Sequence, residues 1–173
     1  QKIVNVGVTN TLETLNPLLM NGGEINRQAT SLMFLPLVEL DKDLNFEGAL
    51  ADSITTEDNL NFIVHINEDA TWSDGTPITA YDVEYTARRI CSPVIANATM
   101  LFYVFEGVGD DGFVEEGAES VSGIKVLNDK TIQFTAKAPM SLTTFQSTYG
   151  RYLMTLPKHV IEQFSEAELS TAE

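Results

Sequence analysis

Residues 2–8 (KIVNVGV) set Ile3, Val4, Val6 and Val8 among small or polar positions, a pattern that predicts a strand. The stretch TNTLETLNPLLMNGG follows, rich in Asn, Thr and Gly and interrupted by Pro17. It is long for a plain connector, and loops of that kind carry function disproportionately. Residues 24–34 place Ile25, Ala29, Leu32 and Met33 at helical spacing, with Pro36 as the stop. LVELD then leads into ALADSITTEDNLNFIVHI, where 53–56 and 61–66 flank a turn-rich triplet at 57–59 and predict a β-hairpin. A second hairpin is written in SGIKVLNDKTIQFTAKAP. There Ile124 and Val126 alternate on one side, Ile132 and Phe134 on the other, and Asn128 and Asp129 make the turn. Beyond Pro139 the pattern predicts a short helix over 140–146, a strand at RYLMTL and a helix at PKHVIEQF with Pro157 as its first residue. Ser165 and Glu168 have capping-box spacing and would start a last helix. The fold class is α+β: a mixed, mostly antiparallel sheet with flanking helices.

Between the hairpins lies TWSDGTPITAYDVEYTARRI, residues 71–90. Asp74 and Gly75 predict a turn in which the glycine takes positive φ. Thr79 is placed as an N-cap, with Asp82 three residues on to reach back to it. Val83, Ala87 and Ile90 form an apolar stripe, and Arg88 and Arg89 suit the negative end of the helix dipole. Trp72 would cover the turn or the underside of the helix. The segment reads as architecture.

Composition narrows the functional classes. The chain has 173 residues, 43% of them hydrophobic, enough for a domain that buries its own core. Its 25 acidic and 10 basic residues give a net charge of −15. Nucleic acid is thereby disfavoured as a partner, since phosphate contacts need clustered Lys and Arg. The acidity is either a solvated surface or a patch for cationic ligands. Cys91 is the only cysteine, so no intrachain disulfide forms; it reads as a small buried apolar group rather than a nucleophile. No apolar run approaches the ~20 residues that span a bilayer. Gln1 in place of an initiator Met, and a last helix with room for only about two turns, point to a processed or excised piece.

His65 and His159 are the only histidines, one in a strand pattern and one in a first helical turn, and neither belongs to a Gly-x-Ser-x-Gly or His-Glu-x-x-His motif. No catalytic residue is assigned. With Gly75 at the sixth position of a calcium loop, positions 1, 3 and 12 would be Ala70, Trp72 and Tyr81. With Gly112 there they would be Gly107, Gly109 and Ala118, so both loops lack ligands. Asp110, Asp111, Glu115 and Glu116 make a loose acidic cluster that reads as a solvated loop, and GVGDDG would repel a phosphate. No metal and no cofactor is expected.

WSDGTPITAYDV resembles the signature of extracytoplasmic solute-binding proteins of family 5, the receptors of peptide, nickel and oligosaccharide ABC transporters. The likeness extends over LVELDKDLNFEGALADSITTEDNLNFIVHI, VSGIKVLNDKTIQFTAKAP and LPKHVIEQ, with LNPLLMNGG in the place of the family's Leu-Asp-Pro loop. One departure is Val64-His65-Ile66-Asn67, where the family usually carries Arg or Lys. The resemblance implies a two-lobed clamshell, of which residues 1–173 would be a partial N-terminal lobe with the second lobe absent. Residues 1–36 and 150–173 would belong to its ligand-side subdomain and 37–149 to an inserted one. It implies a monomeric, non-enzymatic receptor that binds oligopeptides by their backbone and docks on a membrane permease. Its place would be the periplasm or, by a lipid anchor, the outer face of the cytoplasmic membrane. A nickel-complex or oligosaccharide receptor, or a sensor or adhesin on the same fold, stays open as an alternative, and a hydrolase is disfavoured. Carried over by position, the ligand-binding residues would be Asn21, Gly22 and Gly23, where two glycines bare the backbone for strand-like hydrogen bonds. The same glycines could instead simply begin the next helix. Tyr103 and Tyr149 would supply aromatic faces, or else serve core and rim.

Overall fold

In a computed structural model of the chain, residues 3, 7, 11–19, 23–97, 102–115 and 117–171 are described. The strand expected at 2–8 lies, but for Ile3 and Gly7, outside them.

Period-two alternation builds the main sheet. Strands β3 (Ala51–Thr55), β4 (Asn61–Ile66), β5 (Ile124–Asn128) and β6 (Thr131–Thr135) pair antiparallel in the order β3-β4-β6-β5. Both expected hairpins are therefore present, and β4 and β6 join them at the centre. Register sets Phe62 opposite Phe134 and Val64 opposite Ile132, and all four are fully buried. Each such side chain contributes about 1.5–3 kcal/mol by leaving water. The other face of the same strands is polar: Gln133 and the Thr135 hydroxyl both donate to Asn61 Oδ1, each at 2.9 Å. The bend between β3 and β4 puts Asn59 at φ 60°, a value asparagine tolerates.

A layer of rings seals the apolar face. Phe145 stacks on Phe62 at 4.5 Å, and Phe105 meets Phe134 at 5.5 Å and Tyr149 at 4.8 Å. Such pairs add about 0.5–1.5 kcal/mol to plain burial. Helix α2 (Ala80–Ile90) lays Ala80, Val83, Ala87 and Ile90 into the same core. Upstream of the sheet, α1 (Glu24–Ser31) is followed by a separate two-stranded hairpin, β1 (Val38–Leu40) and β2 (Phe46–Gly48). Downstream come α3 (Leu142–Phe145), a π turn at Gln146–Gly150, α4 (Lys158–Ile161) and α5 (Glu166–Leu169).

Several expected boundaries move, each for a physical reason. α1 stops at Ser31 rather than 34, because the Thr30 carbonyl takes both the Met33 and Phe34 amides and Pro36 restricts the chain beyond. β2 carries no alternation and was not legible; it exists because it pairs with β1. α3 begins after Ser141, whose hydroxyl accepts the Thr144 amide at 3.1 Å, and it widens into the π turn instead of ending at 146. Pro157 caps α4 rather than opening it, with ψ at 97°. RYLMTL forms no strand. Leu153, Met154, Thr155 and Leu156 are buried, but the Leu156 amide donates to the Thr86 hydroxyl at 2.9 Å instead of joining a ladder.

At the start of the β1–β2 unit the Leu37 amide donates to the Gly150 carbonyl at 2.9 Å. Gly150 packs so closely there that a Cβ on it would lie 2.8 Å from Val38 Cγ2. The chain thus leaves α1 and returns after the π turn at one point.

Candidate ligand-facing site and its supports

Of the five expected contact residues, Asn21 and Gly22 lie outside the described residues. Gly23 is the N-cap of α1, in an extended conformation with φ −63° and ψ 124°. Its carbonyl accepts the Arg27 amide at 3.1 Å, so Gly23 does begin the helix, as the plainer of the two readings held. The two tyrosines part company. Tyr103 is 47% exposed, whereas Tyr149 is 5% exposed and packed among Phe102, Phe105 and Phe145. Burial, with the Tyr103 phenol nearby, pushes the Tyr149 hydroxyl up to about 12.

The loop before α1 is fastened by asparagines. Asn26, buried on α1, accepts the Glu13 amide at 3.0 Å through Oδ1. Asn16 accepts the Leu18 amide at 3.0 Å and donates from Nδ2 to the Leu169 carbonyl of α5, also at 3.0 Å. Asn97, buried beyond α2, donates to the Leu18 carbonyl at 2.8 Å. Pro17, Leu18 and Leu19 form a 3₁₀ turn between these anchors. None of the three asparagines stood out in the sequence, because each acts on a backbone group set by the fold.

The 71–92 segment answers to a different partner. Gly75 has φ 86°, as the Asp-Gly turn required. Asp82 accepts the Thr79 amide at 2.8 Å through Oδ2, which makes the expected capping box, and accepts the Lys158 amide at 2.9 Å through Oδ1. Thr86 holds Leu156, and Asp74 Oδ2 shares a hydrogen bond of 2.8 Å with His159 Nε2. At the end of α2, Arg88, Arg89 and the Ser92 hydroxyl converge on the Glu166 carboxylate of α5, and Arg88 also donates to the Ala118 carbonyl. Burial alone would raise the Glu166 carboxyl, but Ser92 and the two guanidinium groups together hold it below its ordinary range. The side chains of this segment therefore grip the returning chain from 156 to 166. Trp72 is partly buried against the core, in keeping with its covering role.

The remaining candidates have ordinary surroundings. His65 is exposed and shares a hydrogen bond of 3.1 Å with the Thr131 hydroxyl. Cys91 is buried at the end of α2, and desolvation pushes its thiol up to about 12, far from a thiolate. Among the described residues no group of acidic, His or Cys side chains could hold a metal ion, and no helix is long and apolar enough to cross a membrane.

Residues 45–172 match the profile of bacterial extracellular solute-binding proteins, family 5, middle, and the chain belongs to that family. It is 29% identical to the periplasmic oligopeptide-binding protein OppA of Escherichia coli over 78% of its length and 25% of the relative's. It is 32% identical to the dipeptide-binding protein DppE of Bacillus subtilis over 60% of the chain and 19% of that protein. Among solved structures, the murein tripeptide-binding protein MppA of Escherichia coli superposes with a TM-score of 0.77 at 20% identity, over 92% of this chain and 31% of that one. Haemophilus influenzae OppA in complex with the peptide RPPGFSPFR gives 0.71 at 23% identity, over 90% and 31%. The chain thus spans roughly a fifth to a third of these proteins and shares the fold of that part.

Proposed function

We propose that the protein carrying this chain is the extracytoplasmic substrate-binding component of an ABC transporter, and that it binds oligopeptides by their backbone. The family match carries this reading, and relatives that include oligopeptide- and dipeptide-binding proteins support a peptide ligand. The chain would supply part of the N-terminal lobe, with 1–36 and 150–173 on the ligand side and 37–149 as an inserted unit. Asn21, Gly22 and Gly23 would meet the peptide main chain, and the exposed ring of Tyr103 would lie at the rim. Tyr149, inside the aromatic core, supports that rim from behind. Closure of a second lobe over the peptide would exclude water, and the closed monomer would dock on a membrane permease. The protein works outside the cytoplasmic membrane, periplasmic or held by a lipid, with no cofactor, no nucleic acid and no catalytic step.

The test is the melting temperature of the whole mature protein, unfolded and refolded to strip carried ligand. A ligand at a hundred times its Kd stabilises the folded state by about 2.7 kcal/mol. A peptide pool is expected to raise the melting temperature, while oligosaccharides and chelated nickel leave it unchanged. A shift with sugar or nickel alone would keep the family and discard the peptide.

A further inference from the structure

The apolar anchorage of the 13–19 loop is confined to its short 3₁₀ turn. Pro17 and Leu18 are buried and Leu19 packs partly against the core, but Leu12 and Leu15 face solvent. Side chain–backbone hydrogen bonds hold the rest of the loop, and two connections lead back to the 37–149 unit. One is direct: Asn97 Nδ2 donates to the Leu18 carbonyl across 79 residues of sequence. The other passes through α5. Arg88, Arg89 and Ser92 seize Glu166 at the start of that helix, and at its end the Leu169 carbonyl accepts from Asn16. Leu169 is itself buried, so α5 cannot tilt without moving the loop.

We propose that Asn97 and Glu166 are positioning residues that hold the 13–19 loop, and with it the Gly23 end of α1, in the geometry that accepts ligand. The inference rests on the ligand-side reading given above. Neither residue touches ligand. Asn97 acts by donating a hydrogen bond, and Glu166 acts by its charge, which seats α5 between two guanidinium groups. A carbonyl stripped of its buried donor loses more than the bond itself, because water does not replace it.

The experiment uses the whole mature protein and two near-isosteric variants. Asn97→Asp keeps the shape and removes the donor; Glu166→Gln keeps the hydrogen-bonding oxygen and removes the charge. Hydrogen exchange of the Glu13, Asn16, Leu18 and Leu19 amides is read without ligand, and affinity is read with a pool of tripeptides. Asn97→Asp is expected to speed exchange of those amides by about tenfold and weaken tripeptide binding to a similar degree, with β4 and β6 amides unchanged. Glu166→Gln should give the same pattern at about threefold. Unchanged loop exchange, equal acceleration in loop and sheet, or faster loop exchange with wild-type affinity would each overturn the proposal. If Asn97→Asp does not fold, Asn97→Ser, which brings no charge, replaces it. If no tripeptide binds the unaltered protein, affinity is read with longer peptides; if none of these binds, the peptide reading falls by itself, and loop exchange still decides whether these residues set the loop.

Discussion

The 71–92 segment and the 13–19 loop are both held by polar side chains reaching distant backbone, yet they differ in what lies beneath. In the segment, Asp82, Thr86, Arg88 and Arg89 act from a helix whose opposite stripe is already buried in the sheet core. Their bonds to 156–166 are added to an element that apolar burial has fixed. In the loop, Asn16, Asn26 and Asn97 act on a stretch whose apolar burial is confined to the turn of Pro17, Leu18 and Leu19, so the hydrogen bonds carry more of the position. The more recognisable sequence is thus the one that builds the sheet-and-helix core, and the candidate contact region is the one held by fewer and more separable contacts. Elements that bind ligand belong to the less stable end of a fold.

The largest effect should come from breaking the ground under the segment. Phe134→Ala removes a ring packed on Phe105 and Phe145 and should cost about 3–5 kcal/mol in urea unfolding. The loop should then open only with the whole domain. A paired substitution comes next. Thr86→Val strands the buried Leu156 amide and should cost about 1–3 kcal/mol. Thr155→Val, equally buried but with a hydroxyl that has no partner among the described residues, should be neutral or stabilising by up to about 1 kcal/mol. Equal losses at both sites would refute the idea that the segment acts through specific bonds. Gly75→Ala probes the turn alone: nothing lies within 4 Å of the added Cβ, so the cost is the positive φ, about 1 kcal/mol.

The smallest effect is the dependence on acid. The Thr76 amide, and after it His159, holds the Asp74 carboxyl down to about 2, against about 3.9 in the unfolded chain. A group depressed in this way adds stability above about pH 4 and loses it as pH falls toward 2. Asp74→Asn should therefore flatten the decline of melting temperature between about pH 4 and pH 2. An identical slope in the variant would show that the His159 contact contributes nothing.

What could be read from the chain follows from how local each signal is. The two main hairpins, the Thr79 and Ser165 caps and the positive φ at Gly75 each depend on residues a few positions apart, and all five are present. RYLMTL is misleading because four buried residues in a row look like a strand whether their amides meet a ladder or, as at Leu156, the Thr86 hydroxyl. The pairing of Arg88 and Arg89 with Glu166 spans more than 70 positions. The helix-dipole role of Arg88 and Arg89 is legible in the sequence because it needs only their own helix. Tyr103 and Tyr149 carry the same side chain, and only the packing of Phe102, Phe105 and Phe145 decides which one reaches solvent.

The bond from Leu37 to Gly150 has a consequence for how such a chain could be rearranged. A stretch whose two ends are stitched together by one backbone hydrogen bond behaves as a cassette. Bridging the gap it leaves would take only a short linker, since closing a small loop costs little chain entropy. Residues 37–149 could accordingly be exchanged for the matching piece of a relative that keeps the partners of 156–166 and of Leu18, or given new termini at an exposed turn such as 41–45. Exchange of this kind would let the sheet and helix diversify while the point where the chain leaves and returns stays in register.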